Sequence, residues 1–489
     1  MNVSLNIDSD VSYPNQSPFH PDQIYPELTG LGYTETDSSN HLYSNVRTVL
    51  EDLGLDAGRR GMSDWNPFSD FIREGDRVLI KPNLVLHHNK GREDIDAVVT
   101  HASVIRPVVD YVLLALKGTG AVIIGDAPHG DADFEAIVEY NGLRALAQWY
   151  QQRGVSTELR DLRQYVYPNG FSKSICQRVD RDPEGYTLVD IGVASQLDGQ
   201  PHLDRLYGSD YNRKQIVQQH VGRHHKYLIA ATVLNSDVVI SVPKLKTHKK
   251  TGITINLKNL VGINGDKNYL AHYRIGSPSQ GGDEYPDTAN LLLLILRAWG
   301  RFSRDILMAP NKQYLREVYR VLRLPFYGLR LLYKSIWKRA IWEAGDWHGN
   351  DTCWRMCLDL NCILRFADAT GALHDTPQRR YFCLVDGIVS GEGDGPMNPD
   401  PKRCGVIAAG HDPYQTDYIC ALLMGFDPEK IKLLSESSKD SKVGFSPKDL
   451  QVRCRKDGRE VRYESINFKF RPHHAWEGAI ERNSQARLA

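Results

Sequence analysis

The sequence predicts an α/β protein built from parallel-sheet lobes. Arg77–Pro82 and Ala121–Asp126 are short apolar runs typical of buried strands, and Ser103–Leu116 between them carries apolar residues at helical spacing. A strand, a helix and a second strand in this order form a βαβ unit, whose two strands are parallel. Val238–Pro243 adds a third buried strand farther along the chain.

The last third of the chain returns to the same alternation. Tyr381–Asp386 and Cys404–Ala409 are predicted strands, and Thr416–Met424 has helical spacing. Since 489 residues are too many for one ordinary hydrophobic core, we expect two α/β lobes with the site in the cleft between them. The predicted divisions are a loosely ordered N-terminal arm (1–40), an N-terminal lobe (41–285) with a polar, irregular insertion (150–215), a basic helical insertion (286–345) and a C-terminal lobe (346–489).

Composition argues against several classes of protein. Lys plus Arg and Asp plus Glu both number 60, so attraction to an anion has to come from local clusters rather than from net charge. None of the eight cysteines forms a C-x-x-C pair, so we expect neither a zinc ribbon nor an iron–sulfur cluster. The first residues lack the features of a secretory signal, and the longest apolar run, Leu291–Leu296, is far shorter than a membrane span. We therefore expect a cytoplasmic location.

The strongest chemical signal is the lysine-rich segment 241–266. A buried strand leads into Lys244, Lys246 and His248, and Lys258 follows ten residues after the histidine. Several cations near one strand end are costly unless they meet negative charge, which a phosphate or carboxylate would supply. The alternative is a solvated basic loop, which is our interpretation of Lys249 and Lys250.

Polar side chains also follow the first two predicted strands. Lys81 and Asn83 lie at the end of one strand, and Asp126 and His129 lie at the end of the next. Ligands of parallel sheets bind at the carboxyl ends of the strands, so we expect these residues to face the same site.

A glycine-rich acidic segment, 386–396, is the second signal. Asp386, Glu392 and Asp394 lie among glycines, which allow tight turns in which carboxylates converge. Oxygen ligands suit a hard cation such as magnesium. A flexible surface turn is the alternative.

The stretch 301–342 combines cations with aromatic residues. From Arg301 to Arg339 there are ten Lys or Arg against two acids, interleaved with Tyr and Trp. It is consistent with a solvated helix pair, a membrane-surface patch or a lid over an anionic substrate. Nucleic-acid binding is not expected, because no recognised module is present.

Five short motifs resemble the family called domain of unknown function 362. They are Lys81-Pro82-Asn83, Gly125-Asp126, Pro243-Lys244-Leu245-Lys246-Thr247-His248, Lys258-Asn259-Leu260, and Asp386-Gly387 with Gly391-Glu392-Gly393-Asp394-Gly395-Pro396. The segment 347–352, Trp-His-Gly-Asn-Asp-Thr, resembles a bacterial branch of that family. Many members carry a cysteine-rich ferredoxin module, which this sequence lacks. The resemblance therefore implies an α/β fold without electron transfer through such a cluster.

The family is in turn distantly similar to nickel-pincer lactate racemases. In those enzymes a histidine precedes, by ten residues, a lysine that holds the cofactor covalently, and His248 and Lys258 reproduce that spacing. The racemases have Pro-Asp-x-Thr-Arg after the first strand, whereas this chain has Lys-Pro-Asn-Leu-Val at 81–85. The resemblance therefore implies the architecture, while the racemase substrate site is not preserved.

These observations give one set of expected roles. Substrate binding is assigned to Lys81, Asn83, Lys244, Asn259 and His129. Catalysis is assigned to His248, Lys258 and Lys246, with His248 as general acid or base. A divalent cation, magnesium or similar, is assigned to Asp126, Asp386, Glu392 and Asp394.

Three functions remain open from the sequence. The first is an enzyme that acts on a phosphorylated or carboxylated metabolite with divalent-metal assistance. The second is a racemase-like isomerase with a lysine-linked cofactor. The third is a non-catalytic protein that binds an anionic glycan or lipid intermediate, with peripheral membrane contact through 301–342.

Overall fold

The computed structural model shows a large, mostly parallel sheet flanked by helices on both faces, which confirms the predicted α/β class. The residues that it describes are 1–89, 92, 94–168, 176–208, 212–307, 344–439 and 446–482, together with scattered helical positions between 318 and 335.

The strands are named in chain order. They are β1 (Val3–Ile7), β2 (Arg77–Pro82), β3 (Ala121–Asp126), β4 (Thr157–Asp161), β5 (Tyr165–Val166), β6 (Gln177–Arg178), β7 (Tyr186–Asp190), β8 (Leu206–Tyr207), β9 (His220–Val221), β10 (His224–Ala230), β11 (Val238–Val242), β12 (Lys244–His248), β13 (Gly252–Thr254), β14 (Tyr273–Arg274), β15 (Arg380–Glu392), β16 (Asp400–Gly410), β17 (Val452–Lys456) and β18 (Arg459–Glu460).

The α-helices are named in the same way. They are α1 (His41–Asp52), α2 (Ala102–Leu116), α3 (Phe134–Tyr140), α4 (Leu143–Gln151), α5 (Arg213–Gln219), α6 (Ala231–Leu234), α7 (Asn256–Asn259), α8 (Leu291–Leu307), α9 (Cys353–Phe366), α10 (Pro413–Met424) and α11 (Lys432–Ser435).

One sheet unites strands from both ends of the chain. Its order is β18-β17-β1-β16-β15-β11-β2-β3-β4, and β12 pairs with β15 and β13 beside this path. The neighbours β15, β11, β2, β3 and β4 are parallel, whereas β16 is antiparallel to both β1 and β15. The two predicted lobes are therefore joined in a single sheet, and the predicted boundary at 285 does not separate two sheets.

Two hydrophobic cores pack on opposite faces of this sheet. Together they bury the apolar residues of this long chain without requiring two separate sheets. Leu79 belongs to one core, while its neighbours Val78 and Ile80 belong to the other. Successive side chains of a strand point to opposite faces, so strands buried on both sides are apolar throughout. The strands predicted at 77–82, 121–126 and 238–243 are found within one residue of those limits.

The N-terminal arm, predicted to be loosely ordered, begins with a fully buried strand. Val3–Ile7 lies inside the sheet, antiparallel to β16 and parallel to β17. Its alternation of Val, Leu and Ile with Ser and Asn is short, and the polar residues that follow it dominate the composition of 1–40. The prediction for residues 3–7 was wrong because composition was averaged over the whole segment.

The insertion at 150–215 has more regular structure than predicted, and part of the basic insertion at 286–345 lies outside the described residues. The insertion at 150–215 contains the edge strand β4 and the strands β5 to β8, so it is not irregular throughout. In the basic insertion at 286–345, the first helix is α8. Most of 308–343, including Trp337 and Trp342, lies outside the described residues. No helix in the described part combines the length and apolar character that a bilayer span requires.

Candidate functional site

A pocket opens at the carboxyl ends of β2 and β3, beside β12 and α7. Its empty volume is about 900 Å³, which includes open solvent at its mouth. Seven of the twelve residues singled out in the sequence line it: Asn83, Asp126, His129, Lys246, His248, Lys258 and Asn259. Position at the strand ends is the usual ligand site of parallel sheets. Pro396 and Met397 reach the pocket from the glycine-rich segment.

The pocket is strongly cationic. Among the residues that the structure describes, five lysines line it (Lys246, Lys249, Lys250, Lys258 and Lys267) against one carboxylate, Asp126. Lys249 and Lys250 share Asp346 outside the pocket, so Lys250 is a buried ion-pair partner rather than the solvated residue expected. Burial alone would raise the pKa of Asp346, but these two lysines outweigh that effect and bring the pKa down to about 2.

The other three lysines have no such partner. Within the described residues, no carboxylate lies within 4.0 Å of Lys246, Lys258 or Lys267. Lys246 is fully buried, and among the described residues it donates to Asn83 Oδ1 (3.2 Å) and the Val98 carbonyl (2.6 Å). Burial and the neighbouring Lys244 and Lys258 lower its pKa well below the ordinary lysine value. A bound anion would relieve this repulsion.

Asp126 is neutralised from behind the pocket by Lys81. The Lys81 ammonium is fully buried and donates to Asp126 Oδ1 (2.8 Å), to Asn259 Oδ1 (3.2 Å) and to the Pro82 carbonyl (3.0 Å). Asp126 Oδ2 accepts from the Leu84 amide (2.7 Å). Lys81 therefore fixes the pocket wall, and it does not line the pocket as the predicted substrate-binding role requires.

Gly262 lies against this ion pair. A Cβ at this position would lie 1.8 Å from Asp126 Oδ1 and 2.7 Å from Lys81 Nζ. The Gly262 carbonyl also accepts from the Ala127 amide (2.8 Å), which holds the loop after α7 against the end of β3. The close approach of these two segments therefore requires glycine.

The turn that carries Lys258 and Asn259 is held by a buried carboxylate. Asp417 on α10 accepts from the amides of Asn256 (3.0 Å) and Leu257 (2.9 Å) at the start of α7. Asn259 in turn donates to the Lys81 carbonyl (3.1 Å). These contacts place Lys258 in the pocket wall, with its ammonium unpaired by any described residue.

Lys244 and Asp386 form a separate ion pair away from the pocket. Lys244 Nζ donates to Asp386 Oδ2 (3.0 Å) and to the Tyr13 hydroxyl, and both charged side chains are fully buried. The Tyr13 hydroxyl donates to Asp386 Oδ1 (2.6 Å). The predicted roles of Lys244 in substrate binding and of Asp386 in metal binding are therefore not supported, since each already has its counter-ion.

The four predicted metal ligands do not converge. Glu392 accepts from Lys402 Nζ (2.9 Å), and Asp394 lies 3.5 Å from His473 Nε2. Strand β15 runs on to Glu392 through the predicted turn, which separates Asp386 from Glu392 by roughly 20 Å of extended chain. No group of three or more His, Cys, Asp or Glu side chains suited to a metal ion is found among the described residues.

The hydrogen bonds of His248 define its protonation state. Its Nδ1 accepts from the amides of Lys250 (3.0 Å) and Thr251 (3.2 Å), so the proton of the neutral ring is on Nε2. Burial, together with Lys258 and Lys250, lowers its pKa well below the ordinary value. His248 is thus a neutral hydrogen-bond donor, as in sites where an imidazole polarises an oxygen, and proton uptake at Nδ1 would cost both amide bonds.

Two further pocket residues were missed in the sequence. Lys267 and His272 both line the pocket. The Nδ1 of His272 donates to the Leu270 carbonyl (2.9 Å), which leaves Nε2 as an acceptor, and burial beside Lys258 lowers the pKa of the ring to about 3. Lys267 lies in a Gly-Asp-Lys-Asn run that is typical of an exposed turn, so nothing in the local sequence indicated its burial.

His129 and the segment 347–352 have mainly structural contacts. The Nδ1 of His129 lies 2.5 Å from Asp131 Oδ1 at the pocket edge. In the Trp-His-Gly-Asn-Asp-Thr segment, Asn350 Oδ1 accepts from the Cys353 amide (2.8 Å) at the start of α9. That segment therefore begins a helix and does not line the pocket.

The comparison with curated proteins gives a distant relative. The chain is 21% identical over 415 residues to a thylakoid-associated protein of Synechocystis sp., and the match covers 85% of this chain and 78% of the relative.

A sequence model of one protein family matches most of the chain, over residues 78–180 and 182–422. The matched ranges include every pocket residue named above, together with Lys81 and Asp417 behind the pocket. The chain therefore belongs to the family described as Domain of unknown function (DUF362), as its motifs indicated.

Proposed function

We propose that this protein is an enzyme that binds a small phosphorylated or carboxylated metabolite in the lysine pocket. The observation that carries the proposal is the presence of three pocket lysines, Lys246, Lys258 and Lys267, without a carboxylate partner among the described residues. Buried cations are costly unless paired, and a bound oxyanion would pair them. Groups with strongly shifted pKa values gathered in one pocket favour catalysis over simple storage.

The proposal gives each pocket residue a different role in binding the ligand. Lys258 supplies positive charge to the anion, Lys246 supplies a further nitrogen donor, and His248 donates from Nε2 to an oxygen of the ligand. His272 offers Nε2 as the acceptor of a hydrogen bond from the ligand. Both imidazoles are neutral near pH 7, so the pair presents one hydrogen-bond donor and one hydrogen-bond acceptor to the ligand.

The proposal assigns no step to the predicted metal ligands, because Asp126, Asp386 and Glu392 are each engaged by a lysine. The isomerase alternative stays a prediction. Its support is Lys258, which lines the pocket without a partner among the described residues, so that its nitrogen, once deprotonated, is available for covalent attachment. Intact-mass spectrometry of the purified chain would detect an adduct on that lysine.

Calorimetric titration with inorganic phosphate and with pyruvate tests anion binding. Lys258→Met should weaken binding at least about tenfold, because it removes a charge-assisted contact worth about 1.5–3 kcal/mol. The matched control is Lys456→Met, an exposed lysine on β17 toward the opposite edge of the sheet. Equal affinities for the wild type and both variants would contradict the proposal.

A second function is favoured by the outer face of α8. Leu291, Ile295 and Phe302 are exposed by 73%, 52% and 54%, and their spacing places them on one face of the helix. Arg301 on the inner side pairs with Glu284, which anchors the helix to the protein. We propose that this apolar stripe lies on an anionic lipid surface, as a peripheral contact of a cytoplasmic protein. The name of the thylakoid-associated relative agrees with this.

Flotation with vesicles of neutral and anionic phospholipids tests the stripe. The wild type should float with anionic vesicles, and the triple variant Leu291→Asp, Ile295→Asp, Phe302→Asp should remain in the dense fraction. Leu188→Asp changes an exposed apolar residue elsewhere and should float like the wild type. If the triple variant floats as well as the wild type, the stripe is not the membrane contact.

A further inference from the structure

Lys267 is held in the pocket by neutral groups alone. It begins a short 3-10 helix at 267–269 and is 7% exposed. Its Nζ donates to the carbonyls of Val261 and Asn264, both at 2.9 Å. A tetrahedral nitrogen has one position left after these two bonds, and no described residue occupies it. Lys267 also lines the pocket, so a ligand bound there contacts this residue.

The surrounding charges are arranged for a substrate with an anionic end. Lys258 and Lys246 have no carboxylate partner in the described part of the chain, and both line the same pocket as Lys267. His248 Nε2 is a donor for an oxygen. Lys258 lies close enough to Lys267 to lower the pKa of that lysine, so a carboxylate held by Lys258 would place an adjoining carbonyl carbon in the same pocket as the Lys267 nitrogen.

We propose that Lys267 forms an imine with the carbonyl carbon of a small 2-oxo acid bound in this pocket. The inference rests on the proposed anion site and adds a substrate class and a covalent step to it. In the step, the lone pair of neutral Nζ forms the N–C bond, and the carbonyl oxygen leaves as water with two protons from nitrogen. The reaction needs no oxidant or reductant.

The ionisation of Lys267 favours this chemistry. Burial lowers its pKa to about 7, opposed by Asp126 and assisted by Lys81, Arg163 and Lys258. The adjacent acid, Asp266, accepts from Asn268 rather than from Lys267. At pH 7 about half of such a lysine is neutral, roughly a thousandfold more than of an exposed lysine.

Reductive trapping on the full chain tests the proposal. The protein is incubated with pyruvate and sodium cyanoborohydride, and modified peptides are mapped by mass spectrometry. We expect one adduct per chain, on Lys267, formed at a rate that rises as the pH passes about 7 and then levels off. Inorganic phosphate should slow the reaction by competing for Lys258, and acetone, which lacks the anionic group, should react far more slowly.

Variants separate this step from anion binding. Lys267→Arg should abolish the adduct, and Lys456→Arg should leave it unchanged. Adducts spread over exposed lysines, or found on Lys246 or Lys258 but not on Lys267, would overturn the proposal, and this mapping needs only the wild-type protein. Phosphate binding without an adduct would refute the imine alone, whereas the absence of both would refute the anion site as well.

Discussion

At the scale of single residues, the buried lysines fall into two groups that differ in their counter-ions. Lys81, Lys244 and Lys250 each lie beside a carboxylate. The pocket lysines Lys246, Lys258 and Lys267 lack one among the described residues. The first group stabilises the framework, and the second leaves nitrogen atoms available to a ligand, with Lys258 supplying the positive charge. This difference, rather than the number of lysines, defines the candidate site.

Gly262→Ala tests the framework. The added methyl group would overlap Asp126 Oδ1 and separate it from Lys81, and breaking a buried ion pair costs about 3–5 kcal/mol. We therefore expect the free energy of unfolding, measured by urea denaturation, to fall by about 3 kcal/mol or more. Gly58→Ala is the control, because its Cβ would meet no atom within 4 Å. A Gly262→Ala protein as stable as the control would show that the loop can move away.

Part of the site was predictable from the neighbours and the spacing of its residues in the sequence. Lys244, Lys246 and Lys258 have apolar neighbours, which predict burial, and His248 was singled out by its spacing of ten residues from Lys258. Asp386 and Glu392 were grouped because glycines surround them, but Ile388 and Val389 between them continue a buried strand. Lys267 was missed because the Gly-Asp-Lys-Asn run around it is typical of an exposed turn, although the carbonyls that hold it, those of Val261 and Asn264, are only six and three residues away.

At the scale of elements, the strands were predicted better than the segments between them. Double-sided burial in a parallel sheet makes strands such as β2, β3 and β11 continuous apolar runs, which the sequence shows directly. Strand β1 mixes Ser and Asn into its five residues, and β4 is an edge strand with polar residues. Neither strand shows a clear apolar pattern in the sequence. The partners of β1 are far away in the chain, and β4 is paired on one side only.

A charge in β1 measures how much the fold depends on it. Leu5 is fully buried between β16 and β17, so Leu5→Asp should lower the free energy of unfolding by several kcal/mol, of the order that an unpaired buried charge costs. Ile24→Asp is the matched control in the same arm, where the side chain is 57% exposed. If urea denaturation gave the two variants equal free energies of unfolding, residues 1–40 would be a loosely attached arm, as the sequence predicted.

At the scale of the whole molecule, the sheet places chemistry from distant parts of the chain at one edge. Strands β2 and β3 deliver Asn83 and Asp126, and the segment from β12 to the 3-10 helix at 267 delivers the lysines. Strand β15, nearly 140 residues after β12, pairs with it and carries the chain on to Pro396 and Met397 at the pocket. The α/β class followed from local patterns, but the single sheet did not, because strand pairing over such distances leaves no local signal.

The central claim is that the unpaired lysines of the pocket bind an oxyanion. A crystal structure of the full chain soaked with inorganic phosphate tests it most directly. We predict phosphate within hydrogen-bond distance of Lys258 Nζ and His248 Nε2. A pocket that holds only water at a phosphate concentration that saturates surface sites would contradict the claim.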